Sequence, residues 1–377
     1  MSLSSIELCK LLTERVLKHG KNGKIVNPQT DRSIKLFYPT FNKLNTSCNM
    51  FTDCSTLRGM ANPLSFTCYI DTILFILLSN KYIEKKILFK KLTTGNIAVM
   101  CNKDPELNLE AVKDIQTELR LLSFRIKNAH HLPKEFTCHS LLSRIKKVCP
   151  KSDLNKEFPP FYLRKQRSPL DVIHFLFRMF QFDNYSITET KKSIFRKTKD
   201  TPVAATSVVV SNFKTCIWHV PSYSIQHASS VKNLLKITNI NEVDENNPIY
   251  EEKDKKKKNP FYYVQQEVSW KTLPPFFIMD ISRVDFTGHF METKITPDPD
   301  LKSGLHLFGI IVQRGFLSGN ITGANIGGGH YVAYFKCDDQ WYLYDDMSAS
   351  IQLIGDYKKL LKTDAVTRSI LFFYSKT

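Results

Sequence analysis

Gly59-Met60-Ala61-Asn62-Pro63-Leu64-Ser65-Phe66-Thr67-Cys68-Tyr69-Ile70-Asp71 leads into the longest apolar run of the chain, Ile73 to Leu78. A loop with Gly and Pro enters a stretch, 68–80, that is apolar almost throughout, the pattern of a helix buried on all sides. Thr67 stands where an N-cap belongs. Cys68 then falls in the first helical turn, where free amide N–H groups and the helix dipole favour an anion and are expected to lower a thiol's pKa. Asp71 in the same turn opposes that by charge repulsion. Asn62, six residues before Cys68, offers an amide donor to an oxyanion, with the Cys68 backbone N–H as the second donor. Read alone, Asn62-Pro63 is a turn starter and Cys68 a packed thiol.

A second stretch completes the chemistry. Gly327-Gly328-Gly329-His330-Tyr331-Val332-Ala333-Tyr334-Phe335 is followed by a polar turn, Cys337-Asp338-Asp339-Gln340, and by Trp341-Tyr342-Leu343-Tyr344-Asp345-Asp346. Two aromatic-rich strands around a polar turn read as a β-hairpin. Pairing Lys336 with Trp341 sets Asp345 diagonally from His330 on one face, within side-chain reach, and turns Asp346 to the other face. A slip of one residue exchanges the two aspartates. Three glycines give a side-chain-free approach to His330. A nucleophilic Cys, a His base and an Asp that fixes the imidazole tautomer form a catalytic triad, with Cys68, His330 and Asp345 as its members here. Transglutaminases and arylamine acetyltransferases share that order, so the constellation alone names no substrate.

Outward from these stretches, residues 5–19 have helical spacing and 20–55 are turn-rich, so 1–55 reads as an N-terminal extension and 56–377 as the catalytic domain. Residues 105–127 are the clearest helix, with further helical stretches at Leu141–Val148 and Leu170–Phe180, giving a helical lobe over about 68–200. Strands are expected at Ser207–Ser211, Cys216–Val220, Tyr262–Val268, Phe276–Ile281, Leu305–Val312, His330–Phe335, Trp341–Tyr344 and Ser369–Tyr374, a β-rich lobe over about 205–377. The run Lys253-Asp254-Lys255-Lys256-Lys257-Lys258 lies in a polar stretch, 241–260, that reads as a mobile loop. Helices followed by a mostly antiparallel sheet make an α+β fold.

Composition narrows the class further. No apolar run reaches the roughly 18 residues of a membrane span, and the N-terminus lacks the pattern of a signal peptide, so an intracellular, cytoplasmic or nuclear protein without membrane contact is expected. Nine cysteines, odd in number and without a C-x-x-C pair, argue against a disulfide framework and a structural zinc site. The net charge of +17 admits nucleic-acid contact, but the lysines are widely spread.

Gly59 to Thr72 resembles the cysteine box of ubiquitin-specific proteases, and Cys68 to Phe75 is most similar to its divergent CYLD-like branch, with Asp at position 71. Gly329 to Asp345 resembles the histidine box of that family. Asp171 to Leu176 is similar to its glutamine box helix. Leu273 to Ile278 with Arg283 is similar to a later strand. The resemblance implies a papain-like cysteine protease fold with a helical thumb, an antiparallel-sheet palm and reduced, zinc-free fingers near 205–270. It implies a deubiquitinase that cleaves after the C-terminal Gly of ubiquitin through a thioester, with no cofactor. Gly328 and Gly329 would line the path of the substrate tail. The cysteine box departs from the family by one extra residue between Asn62 and Cys68, which bears on Asn62 most. A catalytically inactive ubiquitin-binding module and a protease for another ubiquitin-like modifier stay open as alternatives.

Overall fold

The computed structural model describes residues 5–19, 24–36, 57–62, 67–98, 104–127, 135–148, 168–182, 186–198, 201–214, 216–220, 222–226, 228–235, 239–242, 262–269, 274–284, 289–301, 304–315, 329–348 and 350–376, with Tyr38, Thr40, Phe41, Lys43, Leu44 and Cys54 between them. Gly328, Leu273, Pro63 to Phe66 and the lysine run at 253–258 lie outside the described residues. The chain divides into two compact units, one of residues 1–182 and 311–360, the other of 183–310 and 361–377.

The first unit is built on helix α2, Cys68–Ser79, in which every residue from Cys68 to Leu78 is buried. That bears out the continuous apolar pattern. Its Phe75 ring meets Phe335 at 4.8 Å and Tyr344 at 4.5 Å between centroids, so the helix lies on the hairpin formed by β11, His330–Cys337, and β12, Gln340–Asp345. Burying one such ring contributes about 1.5–3 kcal/mol. The hairpin pairs Lys336 with Trp341 and Cys337 with Gln340 around a two-residue turn, the register expected from the sequence. Asp338 in that turn has φ +52, the left-handed value such a tight turn requires. Strand β13, Ser350–Gly355, adds to β12 on its far side and was not foreseen.

Helices α3, Pro105–Lys127, α4, His139–Val148, and α5, Pro169–Met179, complete this unit, close to the expected bounds. Helix α1, Ser5–His19, packs Leu8, Leu12 and Val16 with Ile25, Leu36 and Phe41 onto Leu121 and Phe124 of α3. The N-terminal stretch thus shares a core with the helices. The hairpin belongs to the same unit as the helices, whereas the sequence grouped it with the later strands.

The second unit holds two groups of strands. Phe276–Ile281, β8, pairs in parallel with β5, Ile217–Val220, and antiparallel with β14, Ser369–Ser375. The other group is a four-stranded antiparallel sheet in the order β4, β3, β7, β6: Thr201–Lys214, Ser186–Thr198, Tyr262–Ser269, Asn239–Glu242. β3 corrects the helical reading of that stretch, which is rich in Ile and Thr and has no helical period. Arg283 is 2% exposed and is held by the backbone oxygens of Met291, Thr293 and Ser369. Burial lowers its pKa to about 10. Strand β10, Leu305–Arg314, passes from this unit to the first between Ile310 and Ile311.

Nine scattered cysteines suggested no crosslinks, and here the structure differs. Cys54 and Cys337 form a disulfide across 283 residues of sequence, with Cα atoms 5.8 Å apart, and Cys9 is disulfide-bonded as well. Pairing at such separation is invisible before the hairpin turn is placed in space.

Candidate active site

Cys68 is the first residue of α2 and is 2% exposed. Thr67 holds the N-cap position but does not cap. Its φ of −98 and ψ of 2 are not the extended values of a capping residue, and its hydroxyl turns instead to Asn62 Oδ1 at 2.9 Å and Asp71 Oδ2 at 2.5 Å. The thiol is not depressed as its place at a helix start suggested. Burial pushes Cys68 up to about 12, the amides of Tyr331 and Tyr69 offset only part of this, and the nearby Asp346 and Asp71 add to the rise. Desolvation of the thiolate outweighs the helix-start amides. The resting group is a thiol.

The Tyr331 amide at the sulfur comes from β11 and is next in sequence to His330. The His330 Nε2 atom lies 2.8 Å from Asp345 Oδ1 and 3.7 Å from Asp346 Oδ1. Both aspartates therefore reach one ring nitrogen. The expected alternation, Asp345 inward and Asp346 away, fails because β12 ends at Asp345 and the chain turns there. The Met347 amide donates to the same Asp345 Oδ1 at 3.1 Å and helps to fix it. Asp346 is 1% exposed, and burial raises its carboxyl to about 6 even though the His330 charge and the Asn62 side chain act to lower it.

Asn62 is 4% exposed, and its own backbone N–H donates to the Asp346 carbonyl at 3.1 Å. Its Oδ1 accepts the Thr67 N–H at 3.3 Å. Its Nδ2, Asp71 Oδ1 and both Asp346 carboxylate oxygens make no hydrogen bond of good geometry among the described residues, although the Asn62 and Asp71 side chains lie close enough to Asp346 to shift its titration. A buried amide donor without a partner is costly unless something else uses it. The glycine of this segment has a steric reason: a Cβ on Gly59 would stand 1.8 Å from the Tyr344 ring, whose hydroxyl donates to the Met60 carbonyl at 2.7 Å. Gly329 is also tightly placed, since a Cβ there would meet Gln313 Nε2 at 3.0 Å and the Arg314 carbonyl at 3.2 Å.

The structure thus brings Cys68, His330, Asp345, Asp346 and Asn62 into one unit around the start of α2, and sequence reasoning missed how close Asp346 comes to His330, that Thr67 does not cap and that burial raises the Cys68 thiol. The His330, Asp345 and Asp346 donor atoms lie within 4.8 Å of one another, as do those of Cys54, Cys337 and Asp338, and among the described residues these are the two groupings with donor atoms suited to a cation. The sulfurs of the second are tied up in the disulfide. In the α5 helix, His174 is exposed and Ser168 caps the N-terminus by accepting the Leu170 amide.

No family model matches the chain, and no curated protein matches it. Solved structures do. The chain is similar to the SAGA DUB module Ubp8/Sgf11/Sus1/Sgf73 bound to monoubiquitin, at 14% identity over 97% of this chain and 83% of that one, with a TM-score of 0.50. The fold is the α+β, papain-like one. The same module bound to ubiquitin aldehyde gives 14% identity over 95% and 82% of the chains at a TM-score of 0.48, and a yeast SAGA module with a variant Sgf73 gives 15% over 95% and 81% at 0.47. The monoubiquitin-bound neighbour supports a fold of the ubiquitin-specific-protease type, and a CYLD-like branch gains no support. No helix among the described residues is long and apolar enough to cross a membrane.

Proposed function

We propose that the protein is a cysteine-type deubiquitinase with Cys68 as nucleophile, His330 as general base and Asp345 as the residue that orients His330. The observation that carries this reading is the Asp345 contact on His330 Nε2 at 2.8 Å, made on the strand whose next amide, that of Tyr331, meets the Cys68 sulfur. A neutral imidazole held by Asp345 at Nε2 keeps its proton there, so Nδ1 is the atom left to accept from the thiol. Because the resting thiol is buried and protonated, the base removes its proton only as the sulfur attacks the carbonyl carbon. The C–N bond then breaks, the imidazolium returns its proton to the leaving amine, and a thioester remains. Water attacks the thioester with His330 again as base, releasing the carboxylate and the thiol. The Asn62 Nδ2 group and the Cys68 amide would hold the oxyanion. Ubiquitin is the proposed substrate because the fold is that of structures described as ubiquitin-bound.

Purified protein should hydrolyse ubiquitin carrying a C-terminal fluorogenic amide, and Cys68→Ala should abolish it. Asn62→Ala should lower kcat about 100-fold, since one oxyanion donor is typically worth about 3 kcal/mol. Wild type that is inert, or turnover that survives Cys68→Ala, would overturn the reading. The buried thiol at about 12 favours the second reading, a ubiquitin-binding module without turnover. Retained ubiquitin binding with no hydrolysis would establish it. Turnover of a different modifier's fluorogenic amide in preference to ubiquitin would reassign the substrate.

A further inference from the structure

Asn62 Oδ1 faces the backbone N–H of Thr67 at 3.3 Å. An N–H only donates, so the atom facing it is the amide oxygen and Nδ2 points elsewhere. The Thr67 hydroxyl touches that same oxygen at 2.9 Å and Asp71 Oδ2 at 2.5 Å. A hydroxyl has one proton. It cannot donate to both, and turning its lone pair on Asn62 Oδ1 would set two acceptors against each other. The arrangement is satisfied when the Thr67 proton lies on Asn62 Oδ1 and a proton on Asp71 Oδ2 lies on Thr67 Oγ. Asp71 must then be a carboxylic acid.

We infer that Asp71 is a positioning residue that acts as a neutral acid: its proton sets the direction of the Asp71–Thr67–Asn62 hydrogen bonds and so holds Asn62 Oδ1 on Thr67, with Nδ2 turned away from it as the donor that the proposed function assigns to the oxyanion. This rests on the proposed deubiquitinase reading for its catalytic consequence, though not for the state of Asp71. The surroundings agree. Asp71 is 0% exposed. Burial raises its pKa well above the ordinary carboxylate range, hydrogen bonds from the Thr67 hydroxyl and the Cys138 thiol offset part of that, and Asp346 raises it further by its charge and by a hydrogen bond. The ionisable groups around it are Asp346 after β12, Tyr344 on β12, Cys138 before α4 and Cys68 on its own helix. None is a cation, and Tyr344 and Cys138 are themselves held neutral by burial. Two carboxyls in one buried site do not both ionise readily, and Asp346, nearer to His330, is the one better placed to take the charge.

At high pH Asp71 ionises, the Thr67 proton turns to it, and Asn62 Oδ1 loses its donor. An amide at position 71 supplies an N–H to Thr67 Oγ that does not titrate. So Asp71→Ala should lower kcat roughly tenfold to a hundredfold with little change in KM, Asp71→Asn should restore most of that loss, and any alkaline fall in kcat should shift or vanish in Asp71→Asn. Infrared difference spectroscopy of wild type against Asp71→Asn reads the protonation state without turnover. A protonated-carboxyl C=O band at pH 7 that is missing from Asp71→Asn is the expected result. A carboxylate band in its place, or an Asp71→Asn enzyme as impaired as Asp71→Ala, would overturn the inference. An inert wild type that still shows the protonated band would sink the protease reading alone and leave the hydrogen-bond direction standing.

Discussion

Asp345 and Asp346 are adjacent in sequence and opposite in environment. Asp345 is part-exposed and receives the His330 ring and the Met347 amide, whereas Asp346 is 1% exposed and its oxygens make no hydrogen bond of good geometry among the described residues. The difference is measurable through pH. A carboxyl whose folded pKa is raised stabilises the fold below its unfolded pKa and loses that contribution as pH rises through the folded value. For Asp346 the window runs from the ordinary carboxylate pKa to about 6. Asp346→Asn should therefore leave Tm nearly unchanged at pH 4 and raise it relative to wild type at pH 7, by differential scanning fluorimetry. An equal or larger gain at pH 4 would contradict the burial argument. At this scale the sequence was legible where chemistry is local: Cys68, His330 and Asp345 stand on types and spacing. The thiol's high pKa and the closeness of Asp346 were not legible, because burial and a strand end are properties of the assembled unit.

The elements around the site were read well from period alone. The apolar run at 68–79, the helical period at 105–127 and the hairpin register follow from side-chain patterns that each element must bury. β13 and β3 were missed because neither has a strong apolar alternation. What no pattern shows is how an element grips its neighbour, and Gly59 is the instructive case. The Tyr344 ring of β12 fills the space where a Cβ would go, and its hydroxyl holds the Met60 carbonyl. Gly59→Ala should cost about 3 kcal/mol or more through overpacking and lower Tm by roughly 5 °C or more. An unchanged Tm would mean that the ring yields without strain. Tyr344→Phe loses only the hydroxyl and should cost about 1 kcal/mol.

On the scale of the molecule, the disulfide is the largest departure from expectation. Cys54 stands ahead of the loop that leads to Asn62, and Cys337 ends the strand that begins at His330. Closing 283 residues of chain restricts the unfolded ensemble, worth about 2–5 kcal/mol. The paired variant Cys54→Ser with Cys337→Ser should unfold at lower denaturant than oxidised wild type, with the two indistinguishable once wild type is reduced. Equal midpoints under oxidising conditions would show that the crosslink does not form in solution. The net charge of +17 gains no support from the comparisons as a nucleic-acid surface. Its site is locally acidic, with Asp71, Asp345 and Asp346 gathered at the start of α2.

Cys68 is proposed as a nucleophile aimed at the C-terminus of ubiquitin. Ubiquitin with a C-terminal propargylamide reacts only with a thiol that the site itself activates. One covalent adduct is expected, mapped to Cys68 by peptide mass spectrometry and lost in Cys68→Ala and His330→Ala. No adduct, or one on Cys138 or Cys216 with Cys68 unmodified, would contradict it.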